Sequence, residues 1–105
     1  MKDIISGLNK IFDSRIRLGI MAVLSVNDCL DFNTLKELLD ITDGNLASHL
    51  KALEKNELIE VWKQFVGRKP NTAYSITPLG KELFRQHINA LENLIISSLA
   101  PNGIR

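Results

Sequence analysis

At Asn56 the spacing of the apolar residues changes from helical to alternating, and at Thr77-Pro78 it changes back. That double change confines extended backbone to one stretch between helical segments. Leu58-Ile59-Glu60-Val61-Trp62-Lys63-Gln64-Phe65 is rich in β-branched and aromatic residues, with Ile59, Val61 and Phe65 on one face. Thr72-Ala73-Tyr74-Ser75-Ile76 resumes the alternation and is expected to return antiparallel. The stretch between them, Val66-Gly67-Arg68-Lys69-Pro70-Asn71, reads as a loop by its Gly, Pro and Asn content, so the whole is one β-hairpin. Thr77-Pro78 supplies a capping hydroxyl and then a proline at the first helical position. The helix it starts runs to about Leu99 and holds Phe84, Ile88, Leu91, Ile95 and Ser98 at spacings of 4, 3, 4 and 3, with Pro101 and Gly103 ending it.

Upstream the periodicity is helical. Ile4, Ile5, Leu8, Ile11 and Phe12 predict an amphipathic helix, and Asp13 or Ser14 caps a start or restart behind it. Ile16, Ile20, Val23 and Leu24 form the next stripe. Gly19 inside it costs about 1 kcal/mol of helix propensity against alanine, which marks a close helix contact. Asn27-Asp28 breaks the pattern, and Asp31-Phe32 reads as a stub of strand. Asn33 is expected to cap a brief helix holding Leu35, Leu38 and Leu39. Thr42 is expected to cap the third helix, with Asp43 in its first turn and Leu46, Leu50 and Leu53 as its buried stripe. Two short helices joined this closely outline a helix-turn-helix. The order helix, helix, helix, hairpin, long helix is that of a winged helix: mainly α with a small β-hairpin, one domain over 1–105. The helix-turn-helix and wing occupy 11–76, and a long C-terminal helix over 77–99 is the expected dimerisation element.

Composition matters through what it excludes. Thirteen basic and twelve acidic residues give a net charge of +1, which rules out a polycation that holds nucleic acid by bulk charge. DNA binding must then come from local placement of charge. The sequence shows no Gly-rich phosphate loop, no paired histidines at metal spacing and no nucleophile elbow, so neither an enzyme nor a cofactor is expected. The single cysteine, Cys29, cannot form an internal disulfide and is expected to be a small buried hydrophobe. Apolar runs such as Leu94-Ile95-Ile96 are too short for a bilayer, and no signal peptide opens the chain, so a cytoplasmic protein without a membrane partner is expected.

On the third helix, Asn45, Ser48, Ala52 and Lys55 point away from the leucine stripe, with Gly44 and Lys51 on the flank. Asparagine can pair with adenine through two bonds, and serine can reach base edges or phosphate, so a major groove suits this face. The same pattern also describes the solvated side of any amphipathic helix. His49 lies at the edge of the buried arc, where it either packs against a neighbouring helix or reaches the nucleic acid. Arg68 on the hairpin tip suits a narrow minor groove, and Lys69 a phosphate; the bland alternative is a tip kept soluble by charge. The near-heptad of the last helix packs either on its own domain or on a second chain. Its length, and the N-terminal stripe beside it, favour a two-fold dimer built on Ile4, Leu8, Phe84, Ile88, Leu91 and Ile95.

Leu46-Ala47-Ser48-His49-Leu50-Lys51-Ala52-Leu53-Glu54, followed by Leu58-Ile59, resembles the recognition helix and first wing strand of MarR- and ArsR-type winged-helix transcriptional regulators. Ala47 stands where serine is usual in that pattern and Glu57 where glycine is usual, leaving Asn56 as the expected left-handed residue. The stretch from Phe65 to Tyr74 is similar to the wing of a compact MarR-like subfamily, in which a Gly-Arg-Lys-Pro tip precedes Thr, Tyr and a Thr-x-x-Gly helix start. Thr77-Pro78-Leu79-Gly80 fits that start, and the resemblance runs from about Ile11 to Leu94. It implies a homodimeric regulator of double-stranded DNA at promoters in prokaryotic cytoplasm. Paired cysteines of the ArsR type are absent from 32–40, so no metal site is implied. The expected function is sequence-specific repression. Thr42 and Gly44 would open the recognition helix to phosphate, Asn45 and Ser48 would read bases, His49 and Lys51 would flank them, and Arg68 and Lys69 would form the wing contact. A protein-interaction module without DNA binding is the alternative, kept open by Asp43, Glu54, Glu57 and Glu60 near the same face. No convergent polar set points to a small-molecule effector.

Overall fold

The computed structural model describes residues 5–99. Ser14, extended at φ −113°, accepts a hydrogen bond from the Arg17 amide and so starts helix α1 (Arg15–Ser25). Strand β1 (Leu30–Asp31) leads into α2 (Phe32–Leu39), and α3 (Asp43–Lys55) follows after a tight turn with Asp40 left-handed at φ 51°. Strands β2 (Ile59–Val66) and β3 (Lys69–Ile76) form the hairpin, and α4 (Pro78–Ser97) closes the order. The sheet is antiparallel in the order β1-β3-β2, with Leu30 opposite Tyr74 and Ile59 opposite Ile76. This is the expected winged helix, with β1 as a third strand on the hairpin.

The core is where the helical stripes meet. Ile20, Met21 and Leu24 of α1, Leu35 of α2 and Leu46, Leu50 and Leu53 of α3 are buried together with Leu58, Ile59 and Tyr74. Gly19 does mark a close contact, since a Cβ there would lie 3.1 Å from Leu39.

Several expectations change at the ends of elements. No amphipathic helix runs through the described part of the N-terminal stripe. Residues 5–8 turn, with the Leu8 amide bonded to the Ile5 carbonyl, and a single 3-10 turn over Lys10–Phe12 follows. Asn9 is the reason: its side chain accepts from the Ile11 amide, and its own amide donates to His87 Nδ1 on α4. Phe12 then packs edge-on against Phe84 of α4, with ring centroids 5.7 Å apart. Ile4, Pro101 and Gly103 lie outside the described residues.

Asp31 rather than Asn33 caps α2, accepting from the Thr34 amide at 2.8 Å. Pairing with β3 holds Asp31 extended, which aims its carboxylate at the first turn, and that bond keeps its pKa below the ordinary value. Cys29 is exposed, not buried, because the segment between α1 and β1 runs along the surface, where Val26 is also exposed.

At the end of α3 it is Glu57, not Asn56, that takes the left-handed conformation, at φ 61°. Asn56 remains nearer helical and spends its side-chain amide on the Ala52 carbonyl, so the reversal passes to the next residue. The hairpin loop is two residues instead of six. Val66 pairs with Lys69, leaving only Gly67 and Arg68 in the turn, and Gly67 at φ 65° supplies the positive φ that a two-residue hairpin needs. Lys69, Pro70 and Asn71 belong to β3. Pro70 is tolerated because β1 pairs only with Ala73 and Tyr74, so β3 has one neighbour at that point. Phe65 shares a face with Ile59 and Val61 yet is 73% exposed, because the hairpin outruns the core.

Thr77 joins three elements. Its amide donates to the Leu58 carbonyl, its hydroxyl donates to the Glu57 carbonyl and the same oxygen accepts from the Gly80 amide. Gly80 passes so close that a Cβ there would overlap the Leu58 carbonyl oxygen. Gly80→Ala should therefore destabilise the fold by roughly 2–4 kcal/mol, read as a lower urea midpoint at fixed protein concentration.

Candidate nucleic-acid interface

Sinking Leu46, Leu50 and Leu53 into the core fixes the rotation of α3 about its axis. The opposite side is then necessarily outward: Thr42, Gly44, Asn45, Ser48 and Lys51 are all exposed. Thr42, extended at φ −75° and ψ 158°, accepts from the Asn45 amide at 3.2 Å, as its capping role requires. The remaining free amides of the first turn, and the positive end of the helix dipole, face away from the core beside Gly44, where an added Cβ would meet nothing within 4 Å. Asp43 would oppose an approaching phosphate, but Lys36 of α2 lies 2.8 Å from its carboxylate. With both side chains largely in solvent the pair adds at most about 1 kcal/mol to stability, and its effect is on local charge.

His49 takes the first of its two expected places, packed against the neighbouring helix α1. It is half-buried, and its Nδ1 lies 3.2 Å from Arg17 Nη1 on α1. Arg17 is in turn tied to the Ile11 carbonyl through Nε at 2.6 Å. Sequence reasoning did not single out Arg17. Thirty-two positions separate the two residues, and no local spacing connects them.

Arg68 and Lys69 stand exposed at the end of the eight-residue strands, as expected of a wing. Two side-chain bonds stiffen the wing and its root: Trp62 Nε1 donates to Ser75 Oγ at 2.8 Å, and Asn71 reaches Asp31 at 3.4 Å.

The dimerisation candidates divide. Phe84 is half-buried against Phe12 and belongs to its own core, and Leu8 is half-buried. Ile88, Leu91 and Ile95 are 43%, 42% and 62% exposed, so the outer half of the seam has no partner within the described residues. Beside it runs an open groove of about 600 Å³ bordered by Ser25, Pro78, Phe84 and Ile88. His87, the other histidine, is buried between Phe12 and the Asn9 amide. Among the described residues no group of three or more His, Cys, Asp or Glu side chains could hold a metal ion, and no helix is long and apolar enough to cross a membrane.

Comparison with known proteins agrees with this geometry. Residues 16–95 match the family model described as the winged helix DNA-binding domain. An uncharacterised protein of Methanocaldococcus jannaschii is 40% identical over 79 residues, covering 75% of this chain and 86% of that one. A transcriptional regulator homologue from Pyrococcus horikoshii superimposes with a TM-score of 0.72 at 33% identity, over 84% of this chain and 92% of the other. MepR of S. aureus, solved in complex with DNA, shares the fold at a TM-score of 0.71 and 15% identity, covering 87% and 74% of the two chains.

The cap on α3 gives a direct test of how this surface is held. Thr42→Ala should cost about 1 kcal/mol in chemical denaturation, and Thr42→Ser should restore most of it.

Proposed function

The chain belongs to the winged helix DNA-binding domain family, and from that premise we propose that it is a MarR-like transcriptional regulator: a homodimeric, sequence-reading repressor of promoters in the prokaryotic cytoplasm. One observation carries the sequence reading: on the outward face of α3 the Asn45 and Ser48 side chains make no hydrogen bond within the described residues. Their donors and acceptors are held on a rigid helix and left unspent, which is what base edges in a major groove require. Thr42 and Gly44 present the helix N-terminus to a phosphate. His49 and Lys51 flank the readout, Arg68 enters the minor groove and Lys69 contacts the backbone.

Dimerisation follows from the exposed side of α4. Ile88, Leu91 and Ile95 form a seam that a second copy covers, with Leu8 and Phe84 at its inner edge. A two-fold axis there places two recognition helices on a palindromic site, with half-sites about 34–36 Å apart. Occupying a promoter in this way represses by excluding polymerase.

Fluorescence anisotropy with a labelled duplex from upstream of its own gene, against a scrambled duplex, tests the reading at two salt concentrations. Tighter binding to the upstream duplex, weakening as salt rises, is expected. Absence of binding to either duplex would contradict it. In the same assay Arg68→Ala should lose about 1–3 kcal/mol, and an unchanged affinity would remove the wing from the interface. Replacing Leu91 and Ile95 together by glutamate should give a monomer by light scattering; a surviving dimer would place the seam elsewhere.

A further inference from the structure

An arginine has only donors. The Arg17 guanidinium carries five N–H groups, no acceptor, and does not lose its proton in proteins. Its Nη1 lies 3.2 Å from His49 Nδ1, so that ring nitrogen must be the acceptor and carry the lone pair. A neutral imidazole with a bare Nδ1 holds its proton on Nε2. Arg17 is not free to turn away, because its Nε–H is committed to the Ile11 carbonyl at 2.6 Å and its helix start is capped by Ser14. The guanidinium therefore forks, one branch on the N-terminal segment and one on α3.

His49 Nε2 has no partner among the described residues, and no buried side-chain nitrogen or oxygen lacks one, so Nε2 is not closed off from solvent. His49 follows exposed Ser48 and stands four residues, one helical turn, beyond exposed Asn45.

We propose that Arg17 is a positioning residue for recognition: it locks His49 in the Nε2–H tautomer, so that α3 presents a fixed neutral donor to an acceptor on the DNA, a purine N7 or a phosphate oxygen. This rests on the reading that α3 faces DNA. Without the lock, Nε2 would alternate between donor and acceptor and match two kinds of site. Arg17 thus acts through His49 without touching the duplex, although it is a cation within reach of the recognition helix.

Two readouts separate this from a merely structural tie between helices. Long-range nitrogen–proton spectra of the free protein at about pH 8, where histidine is ordinarily neutral, report the tautomer directly. Wild type should show Nε2–H alone, and Arg17→Leu a mixture. Duplex binding by Arg17→Leu, His49→Ala and the double variant supplies the second readout. His49→Ala should weaken binding about tenfold and Arg17→Leu by no more than about twofold, the fraction of Nε2–H lost; the double should bind no worse than His49→Ala, and Arg17→Leu should leave the slope of log K against log salt unchanged. His49→Gln, which carries a donor nitrogen that needs no tautomer, should recover binding in the Arg17→Leu background. With wild type bound, 7-deazapurine substitution and single methylphosphonate linkages tell a base acceptor from a phosphate. The modification that matters should lose its effect in His49→Ala. An Nδ1–H signal in wild type, additive losses, or a slope reduced by about 0.9 on removing Arg17 would overturn the proposal, the last because Arg17 would then neutralise a phosphate itself. Failure of wild type to bind any duplex would overturn the DNA reading, and with it the role of the tautomer in recognition, whatever the spectrum shows.

Discussion

Burial of Leu46, Leu50 and Leu53 against α1 is the interaction on which the remaining geometry rests. A fully buried leucine is worth about 1.5–3 kcal/mol relative to an exposed one, so three of them on one stripe set both the rotation and the depth of α3. No polar residue of that helix can exchange places with them without leaving unpaired groups in the core. The outward placement of Asn45, Ser48 and Lys51 is thus a consequence of what the other side buries. Thr42 finishes the surface by closing the first turn and Asp40 by reversing the chain just before it.

A second constraint fixes the wing to that helix. Leu58 donates back to the Leu53 carbonyl at the end of α3 while its own carbonyl accepts from Thr77 at the start of α4. Thr77 also holds the Glu57 carbonyl, so three elements share one knot of hydrogen bonds. Gly80 is the residue that allows α4 to come close enough for the knot to form. The hairpin between Leu58 and Thr77 is therefore rigid at its root and free at its tip, where Arg68 and Lys69 extend past the core.

Features that depend on neighbouring residues are legible in the sequence. The leucine stripe, the Thr42 cap, the Thr77-Pro78 start and the meaning of Gly19 all follow from spacing and side-chain chemistry, and each stands where expected. Features set by distant partners are not. The N-terminal stripe has helical spacing, but Asn9 bonds to His87, 78 residues away, and the segment turns instead. Asn33 is a good cap by type, yet pairing of β1 with β3 makes Asp31 the cap. Gly, Pro and Asn content suggests a long loop at 66–71, whereas strand register shortens it to Gly67 and Arg68. Cys29 belongs to the interior on its chemistry alone, and the chain path places it outside. Of the candidate interface, the exposure of the α3 and wing residues can be read from sequence; the contact of Arg17 with His49, made only through the packing of α1 on α3, cannot.

The central question is whether the outward face of α3 reads bases as part of a two-fold dimer. Selection of duplexes from a random library by the full chain asks this without an operator having to be known. Enrichment of one motif with two-fold symmetry and half-sites about one helical turn apart is the predicted result. Recovery of duplexes with no shared motif after repeated rounds, at a salt concentration where binding persists, would contradict it.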